Sequence, residues 1–272
     1  KGKVVTTFPT TETDKPTLAR LMVGREVIFR LEKKRMERRD KILEVNDLYA
    51  LNERRLPAIR KMSFELFGGE ILGVAGVSGN GQHELSEVLT GLRKPTKGKV
   101  FLKKKEVTNC SAREMNDLNV AHIPAERMRM GIVPALSIRE NLILKKYRCS
   151  PFCHREFLDK KEIEENANRA MSNYRIAAPS CETPAKLLSG GNIQKVILAR
   201  ELSENPCLIV AVHPTYGLDI GATEHVRQVL LAQRERGAAT LLISEDLEEI
   251  MTMSDRILVL FNGEVMGILD AE

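Results

Sequence analysis

The sequence predicts an α/β domain with a parallel sheet, on the evidence of three apolar runs and the helical patterns beside them. The run at residues 71–76 enters a glycine-rich loop, and residues 85–92 behind it have the spacing of a helix. Residues 208–212 and 240–244 are short apolar runs typical of central parallel strands, and a helix is predicted over residues 224–236 between them. A strand, a crossover helix and a second parallel strand make the right-handed unit on which this fold class is built.

The remaining segments place further strands and helices around this unit. Additional strands, with alternating apolar and polar side chains, are predicted at residues 42–45, 62–66 and 99–102. A helical pattern over residues 138–175 is interrupted near Ser150 and Pro151, and another helix is predicted over residues 187–202.

The amino-terminal segment differs in character, and we place the main domain at residues 41–272. Residues 2–7 are similar to residues 263–268, and both read as a turn glycine followed by a short strand. This similarity is either chance or a sign that the chain begins inside the last strands of a preceding copy of the domain. Residues 16–27 are predicted to be a short helix that ends that copy, and the densely charged residues 30–41 a solvated linker.

Composition limits the classes of function. Hydrophobic residues make up 43% of the 272 residues, which is enough for a sizeable core. The net charge of +5 fits ordinary surface scatter as well as a place beside anionic lipid or nucleotide. The chain has no Trp and 4% aromatic residues, so no nucleic-acid partner is expected. It has no apolar run of about 18 residues and no signal-peptide pattern at its start, so a cytoplasmic location is expected.

The cysteines do not form a convincing metal site. Of the five cysteines, only Cys149 and Cys153 lie close together, beside His154. A structural zinc site needs about four ligands at recurring spacings. We therefore expect reduced, structural thiols and no metal site.

The loop after the first apolar run has the glycine spacing of a phosphate-binding loop. The P-loop pattern G-x-x-x-x-G-K-[ST] lets backbone N–H groups and a helix amino-terminus surround phosphate oxygens. Gln82 stands where the lysine belongs and His83 where the hydroxyl ligand of Mg²⁺ belongs, so Mg²⁺ is weakly supported. A glycine-rich turn without a ligand is the alternative. The candidate nucleotide-binding residues are Gly76, Ser78, Gly79, Asn80, Gly81, Gln82 and His83.

A second glycine motif stands at the start of a predicted helix. Ser189, Gly190, Gly191 and Asn192 resemble the LSGGQ signature of ATP-binding cassettes, with Asn192 in the place of the usual glutamine. A serine hydroxyl and glycine N–H groups at a helix amino-terminus can meet a phosphate. A serine-capped helix with flexible glycines is the alternative, but it accounts for Ser189 alone.

Two later segments keep the order and spacing of this family's motifs. Residues 208–219 resemble the Walker B strand and the D-loop, where Asp219 retains the D-loop acid. Val212 replaces the aspartate of the Mg²⁺ site, and His213 replaces the glutamate that polarises the attacking water. Glu245 replaces the histidine of the switch segment. The resemblance therefore implies that no catalytic residue is intact at Gln82, Val212, His213 or Glu245.

The resemblance covers most of the chain and implies a RecA-like P-loop NTPase sheet. It further implies an antiparallel β layer near residues 42–102 and a helical subdomain at about residues 134–186. Residues 18–25 are similar to the junction between the two cassettes of tandem ATPases in simple-sugar and nucleoside importers. Residues 1–40 would then be the tail of a first cassette and its linker. Second cassettes of this branch commonly lack the P-loop lysine and the Walker B acids, and Ala125 departs further, at the coupling-loop glutamine or its acidic substitute.

The resemblance also implies unequal roles for two ATP sites. Cassettes pair head to tail, so that each ATP lies between one P-loop and the signature of the other cassette. The signature of this chain would complete the partner's site, while its own site hydrolyses ATP weakly or not at all. The implied partners are a first cassette, a membrane-spanning permease and, indirectly, a substrate-binding protein, at the cytoplasmic face of the bacterial inner membrane.

The permease would dock beside Met128, Met130, Ile132 and Val133, although a Met-rich stretch also suits an ordinary core. Two other functions stay open at this stage. One is a structural pseudo-ATPase that binds no nucleotide, and the other is a non-transport cassette ATPase. The second class usually keeps its hydrolytic residues and carries a basic arm or a long coiled coil, neither of which is seen.

Overall fold

The computed structural model, which describes residues 4–24, 33–34 and 36–271, has the predicted α/β architecture. Its helices are α1 (Lys15–Val23), α2 (Gln82–Leu89), α3 (Ala112–Asp117), α4 (Ile138–Ile143), α5 (Lys160–Asn173), α6 (Gly190–Leu202), α7 (Ile220–Arg236) and α8 (Leu247–Met253). Its strands are β1 (Lys41–Leu51), β2 (Pro57–Phe67), β3 (Ile71–Ala75), β4 (Lys97–Leu102), β5 (Lys105–Glu106), β6 (Val120–Ile123), β7 (Cys153–His154), β8 (Phe157–Leu158), β9 (Leu208–Val212), β10 (Ala239–Ile243), β11 (Arg256–Phe261) and β12 (Glu264–Asp270).

A six-stranded sheet forms the centre of the domain, in the order β12-β11-β3-β10-β9-β6. Its strands are parallel except β12, which pairs antiparallel with β11. Strands β3, β9 and β10 are buried along their whole length, as expected of strands covered on both faces. The sequence does not predict β6, because so short a run carries little periodicity.

Side chains alternate between the two faces of this sheet and fill two cores. On one face, residues such as Leu72 and Val210 pack with α2 and the antiparallel layer. On the other face, Ile71 and Ile209 pack with α6, α7 and α8. Because β3, β10 and β9 are parallel neighbours, the segments that follow their carboxyl ends meet at one edge of the sheet.

The antiparallel layer expected near residues 42–102 is present as a four-stranded sheet in the order β2-β1-β4-β5. Residues 138–173 hold α4, α5 and the hairpin β7–β8. The interruption expected near Ser150 and Pro151 is therefore wider than predicted, since the hairpin occupies it. Helices α4 and α5 share a small core with α6, which includes Ile138, Ala167, Val196 and Ala199.

Predicted helix starts are displaced where a capping residue fixes the first turn. Helix α6 begins later than predicted, after its N-cap Ser189, and a single 3₁₀ turn at Ala185–Leu187 precedes it. Helix α7 begins earlier than predicted, after its N-cap Asp219. Helix α2 also begins earlier, directly after Gly81, which has a left-handed φ of 100°.

The amino-terminal segment departs from prediction. Residues 4–9 form no strand, and residues 1–3 lie outside the described part of the chain. Helix α1 is present and ends at Val23, with Gly24 as its C-cap, while residues 25–27 of the predicted helix lie outside the described residues.

The linker was expected to be solvated, and most of its described residues are exposed, although several of them also contact the domain. Lys34 Nζ lies 3.1 Å from Glu235 Oε2, and Arg38 Nη2 lies 2.9 Å from Asp270 Oδ1. The Arg38 guanidinium also stacks over the ring of Phe67, 6.0 Å from its centroid. The linker thus follows the surface of the domain. Among the described helices, none is long and apolar enough to cross a membrane.

Candidate functional site

The glycine-rich loop lies where the sequence predicts it, between the carboxyl end of β3 and the amino end of α2. A Cβ at Gly76 would come within 2.5 Å of the carbonyl oxygen of Leu260, so any side chain there would displace backbone. A Cβ at Gly81 would come within 2.4 Å of the carbonyl oxygen of Ala58. Close backbone approach explains both glycines, independently of any ligand.

Gln82 crosses the loop and bonds to its backbone on both sides. Its Oε1 accepts the N–H of Asn80 at 2.9 Å, and its Nε2 donates to the carbonyl of Val77 at 2.9 Å. The Asn80 side chain adds a second donor to the same carbonyl at 2.6 Å. One loop N–H that a P-loop would offer to phosphate is therefore already satisfied within the chain.

Part of the loop nevertheless stays open to an anion. Val77, Ser78 and Gly79 are exposed, and the N–H groups of Ser78 and Gly79 bond to no described residue. Gly79 has a left-handed φ of 86°, which turns the backbone at the tip of the loop. This remaining cradle could hold a phosphate oxygen, without the lysine charge that would neutralise it.

The four positions at which the resemblance predicts the loss of Mg²⁺ ligands and of catalytic groups lie near this loop or at its edge of the sheet, or follow the neighbouring strands. His83 is exposed, and its Nε2 lies 3.2 Å from Glu87 Oε1 on the next turn. Val212 ends β9 as a buried side chain, while His213 has a left-handed φ of 46° and donates its N–H to the end of β10 at 2.8 Å. Glu245 is exposed. This donor set does not fit Mg²⁺, which takes oxygen ligands, and within the described residues no three metal-binding side chains cluster.

A carboxylate that the sequence reasoning missed ties two segments of this edge together. Glu249 on α8 is 1% exposed and accepts hydrogen bonds from Ser244 Oγ at 2.8 Å and from Thr215 Oγ1 at 2.7 Å. Arg227 Nε lies 3.6 Å from the same carboxylate. Only its position beside the apolar residue Ile250 hinted in the sequence that Glu249 is buried.

The signature motif lies at the start of α6, where Ser189 is the N-cap. Ser189 Oγ accepts the N–H of Asn192 at 3.4 Å and its side-chain amide at 3.1 Å. Asn192 Oδ1 accepts the N–H of Ala177 at 2.9 Å, which fixes the orientation of that amide. With these bonds accepted, the Ser189 O–H donates to none of the residues that the structure describes, so it is available to a ligand.

A cleft of about 280 Å³ opens beside the signature and is lined by Arg175, Lys195, His225 and Asp219, among others. Lys195 Nζ donates to the carbonyl of Arg175 at 2.8 Å. Burial lowers the pKa of Lys195 and of His225, and for His225 the charges of Lys195 and Arg175 add to that effect. The cleft therefore presents two cations and one carboxylate at a helix amino-terminus, an arrangement that favours an anion. Sequence reasoning missed Arg175, Lys195 and His225, because three separate elements bring them here.

The signature helix is tied to the segment that precedes Asp219. Gln194 is fully buried, and its Nε2 donates to the carbonyl of Pro214 at 2.8 Å. Asp219 itself is committed to helix capping, since its Oδ1 accepts the N–H of Ala222 at 2.8 Å. The signature and the D-loop candidate are thus held as neighbours.

A groove of about 240 Å³ lies on the side of the six-stranded sheet where β6 ends, and His122 and Met130 help to line it. Met128, Met130 and Val133, beside which docking was expected, are exposed. Ile132 was expected in the same place, but it is buried in the core beneath α6.

A buried ion-pair cluster lies under this groove. Glu201 pairs with Lys145 and with Arg200, whose Nε lies 2.9 Å from Oε1, and it accepts the N–H of His122 at 3.0 Å. Burial would raise the pKa of Glu201, but the two cations outweigh it and hold that pKa below its ordinary value. Burial lowers the pKa of His122 to about 4, so its imidazole is neutral at pH 7.

Comparisons with known proteins all match ATP-binding proteins of transporters. A sequence model of the ABC transporter family matches residues 59–215. The chain is 40% identical over 272 residues to the guanosine import ATP-binding protein NupO of Bacillus subtilis, covering all of this chain and 53% of that protein. It is 38% identical to the nucleoside import ATP-binding protein NupA of Lactococcus lactis, covering all of this chain and 54% of that protein. The chain thus spans about half the length of these curated relatives.

Solved structures agree in fold. A nucleotide-free ATP-binding cassette from an ABC transporter superposes with a TM-score of 0.73 at 22% identity, covering 86% of this chain and 92% of that one. A dimeric cassette bound to ADP and Pi superposes with a TM-score of 0.70 at 23% identity, covering 85% of this chain and 99% of that one.

Proposed function

Since the chain belongs to the ABC transporter family of ATP-binding cassettes, we propose that it is the second of two cassettes in the ATPase of a nucleoside or simple-sugar importer. The relatives that support this substrate class carry the names guanosine import and nucleoside import, and the chain matches about half of each. Residues 1–40 are then the end of the first cassette and the linker. The linker contacts of Lys34 and Arg38 would seat that connection on this domain.

The role of this half is to complete the ATP site of the partner cassette. The observation that carries this proposal is the signature. The Ser189 O–H, which bonds to no described acceptor, and the amides of Gly190 and Gly191 stand at the amino end of α6, beside a cationic cleft. ATP is the ligand that the family binds, and its terminal phosphate is an anion suited to such a helix end.

The site on this chain's own loop is proposed to hydrolyse ATP weakly or not at all. Phosphoryl transfer depends on positioning and on neutralising charge, and Gln82, Val212 and His213 provide neither a cation nor a carboxylate. The loss should cost several orders of magnitude in rate. A second candidate, a cassette whose own site binds no nucleotide, is favoured by the two Gln82 bonds that close the loop.

The permease is proposed to dock on the groove beside Met128, Met130 and Val133. Flexible thioether side chains suit an adaptable surface, and these three are exposed while the neighbouring Ile132 fills the core. Docking would place the protein at the cytoplasmic face of the bacterial inner membrane, with the substrate-binding protein reached only through the permease.

Hydrolysis by the intact transporter tests the assignment of the working site. Ser189→Arg should abolish most ATP hydrolysis, because the larger side chain fills the gap between the signature and the partner's phosphate. The matched control is Ser203→Arg, at the exposed carboxyl end of the same helix, which should leave hydrolysis unchanged. Gln82→Lys alone should also have little effect, because Val212 and His213 still leave magnesium and water unsupported.

Two outcomes would contradict this assignment. If Ser189→Arg left hydrolysis intact while Gln82→Lys raised it strongly, the working site would lie on this chain's loop. If neither substitution mattered, the signature would be only a helix cap. Titration of the isolated chain with a fluorescent ATP analogue distinguishes the two candidates. The second candidate, a cassette whose own site binds no nucleotide, requires that no binding occurs at millimolar concentrations.

A further inference from the structure

One arginine touches both the signature and the segment before Asp219. Arg127 opens a single π-helical turn, Arg127–Gly131, that follows β6. Its Nη2 donates to the carbonyl of Tyr216, and its Nη1 lies 3.5 Å from the position that a Cβ would take at Gly190. The guanidinium therefore spans from the D-loop candidate to the first residue of α6.

This contact is made by a charged group that has lost much of its water. Arg127 is half-buried, and among the described residues no carboxylate lies within ion-pair distance of it. A hydrogen bond from a charged donor to a carbonyl is stronger than a neutral one, and it compensates for the lost hydration. The Tyr216 carbonyl is thus a specific partner of this arginine rather than one of several.

The other end of the same turn is fixed to the signature helix. A Cβ at Gly131 would come within 2.4 Å of Ile197 Cδ1, so the backbone packs directly on α6. Arg200 Nη2 donates to the Gly131 carbonyl at 2.7 Å. Between the two ends, Met128 and Met130 are 46% and 40% exposed. A protein that contacts these methionines therefore contacts a turn that is bonded to α6 at one end and to Tyr216 at the other.

We infer that Arg127 is a positioning residue. Through it, docking of the permease on Met128 and Met130 changes the position of the signature at Gly190. The inference rests on the proposed function, since it assumes that the signature completes an ATP site and that a permease docks on the turn. The π-helical turn provides the short, irregular element at which such a displacement is accommodated.

The experiment measures ATP hydrolysis by the full-length ATPase alone and by the same ATPase assembled with its permease in lipid nanodiscs. Arg127→Gln removes the guanidinium that reaches Tyr216, and it should reduce permease-stimulated kcat roughly three- to thirtyfold, within the range of coupling effects. The KM for ATP and the unfolding temperature should stay unchanged. Arg127→Lys keeps one charged donor and should restore part of the stimulation.

The matched control is Arg54→Gln, which removes the same charge from the exposed turn between β1 and β2. Arg54 belongs neither to the turn Arg127–Gly131 nor to the docking surface, so this variant should behave as the wild type. Equal stimulation in Arg127→Gln and Arg54→Gln would overturn the inference, and so would a loss in Arg127→Gln that comes with a lower unfolding temperature and no rescue by Lys.

Failure of this inference is separable from failure of the proposed function. If Ser189→Arg abolishes hydrolysis and Arg127→Gln changes nothing, the signature works but Arg127 does not position it. If Ser189→Arg leaves hydrolysis intact, the proposed function itself is wrong, whatever Arg127 does.

Discussion

Acid should weaken the folded state between pH 6.5 and pH 4 through His122. Burial is the largest cause that lowers the pKa of this imidazole to about 4, with Lys145 and Arg200 adding to it and Glu201 opposing it. In the unfolded chain the imidazole takes up a proton near pH 6.5, so between these values the unfolded state binds more protons and stability rises with pH. The contribution is complete above pH 6.5 and is lost as the pH falls to about 4. Because a tenfold change in proton affinity is worth about 1.4 kcal/mol, the full loss is about 3 kcal/mol.

Urea unfolding at two pH values measures this contribution. Between pH 7.5 and pH 5 the wild-type chain should lose about 2 kcal/mol more in free energy of unfolding than His122→Gln, whose amide does not titrate. The matched control is His154→Gln, because His154 is exposed on the hairpin β7–β8. It should follow the wild type.

Equal losses in the wild type and in His122→Gln would refute the reasoning. An NMR titration that placed the pKa of His122 near 6.5 would refute it independently, because burial would then not lower this pKa in the folded chain.

Three further predictions concern the loop, the buried cluster and turnover. Gly81→Ala should cost about 2 kcal/mol or more in the free energy of unfolding, because its Cβ would lie 2.4 Å from the carbonyl oxygen of Ala58, whereas the control Gly79→Ala has nothing within 4 Å and should cost about 1 kcal/mol. Glu201→Ala should cost about 3 kcal/mol, because it leaves the buried Arg200 and the partly exposed Lys145 without their carboxylate partner. The exposed Glu204→Ala should cost less than about 1 kcal/mol, both read by urea unfolding. Turnover of Mg²⁺-ATP by the isolated chain should stay below ~0.1 s⁻¹ in a coupled phosphate-release assay, and a higher rate that Gly81→Asp abolishes would contradict the assignment.

The parts that the sequence predicts well are those fixed by local pattern. Short apolar runs mark β3, β9 and β10, since buried parallel strands need continuous apolar side chains. The glycine spacing places the loop at the carboxyl end of β3, and the serine cap places the signature at the start of α6. These features depend on a few neighbouring residues, so a single sequence is enough to locate them.

The parts that it does not predict depend on residues brought together by the fold. The Gln82 bonds to Asn80 and Val77 require the loop geometry, which spacing alone does not give. The contact of Arg127 with Tyr216 joins residues far apart in the chain. The contacts of the linker with the domain are likewise not predicted, because a run of charges has the same composition whether or not it pairs with acidic residues on the domain.

Glu249 has a consequence for how this edge of the molecule opens. Its buried carboxylate accepts hydrogen bonds from Ser244, after β10, and from Thr215, after β9. If either hydroxyl moved away, a buried carboxylate oxygen would lose this hydrogen bond, which is unfavourable. The two segments should therefore open together, with matching amide-exchange protection and matching dependence on denaturant. A displacement of the D-loop candidate should therefore also displace the segment that holds Ser244 and Glu245, although the two segments are separated in the chain by α7 and β10.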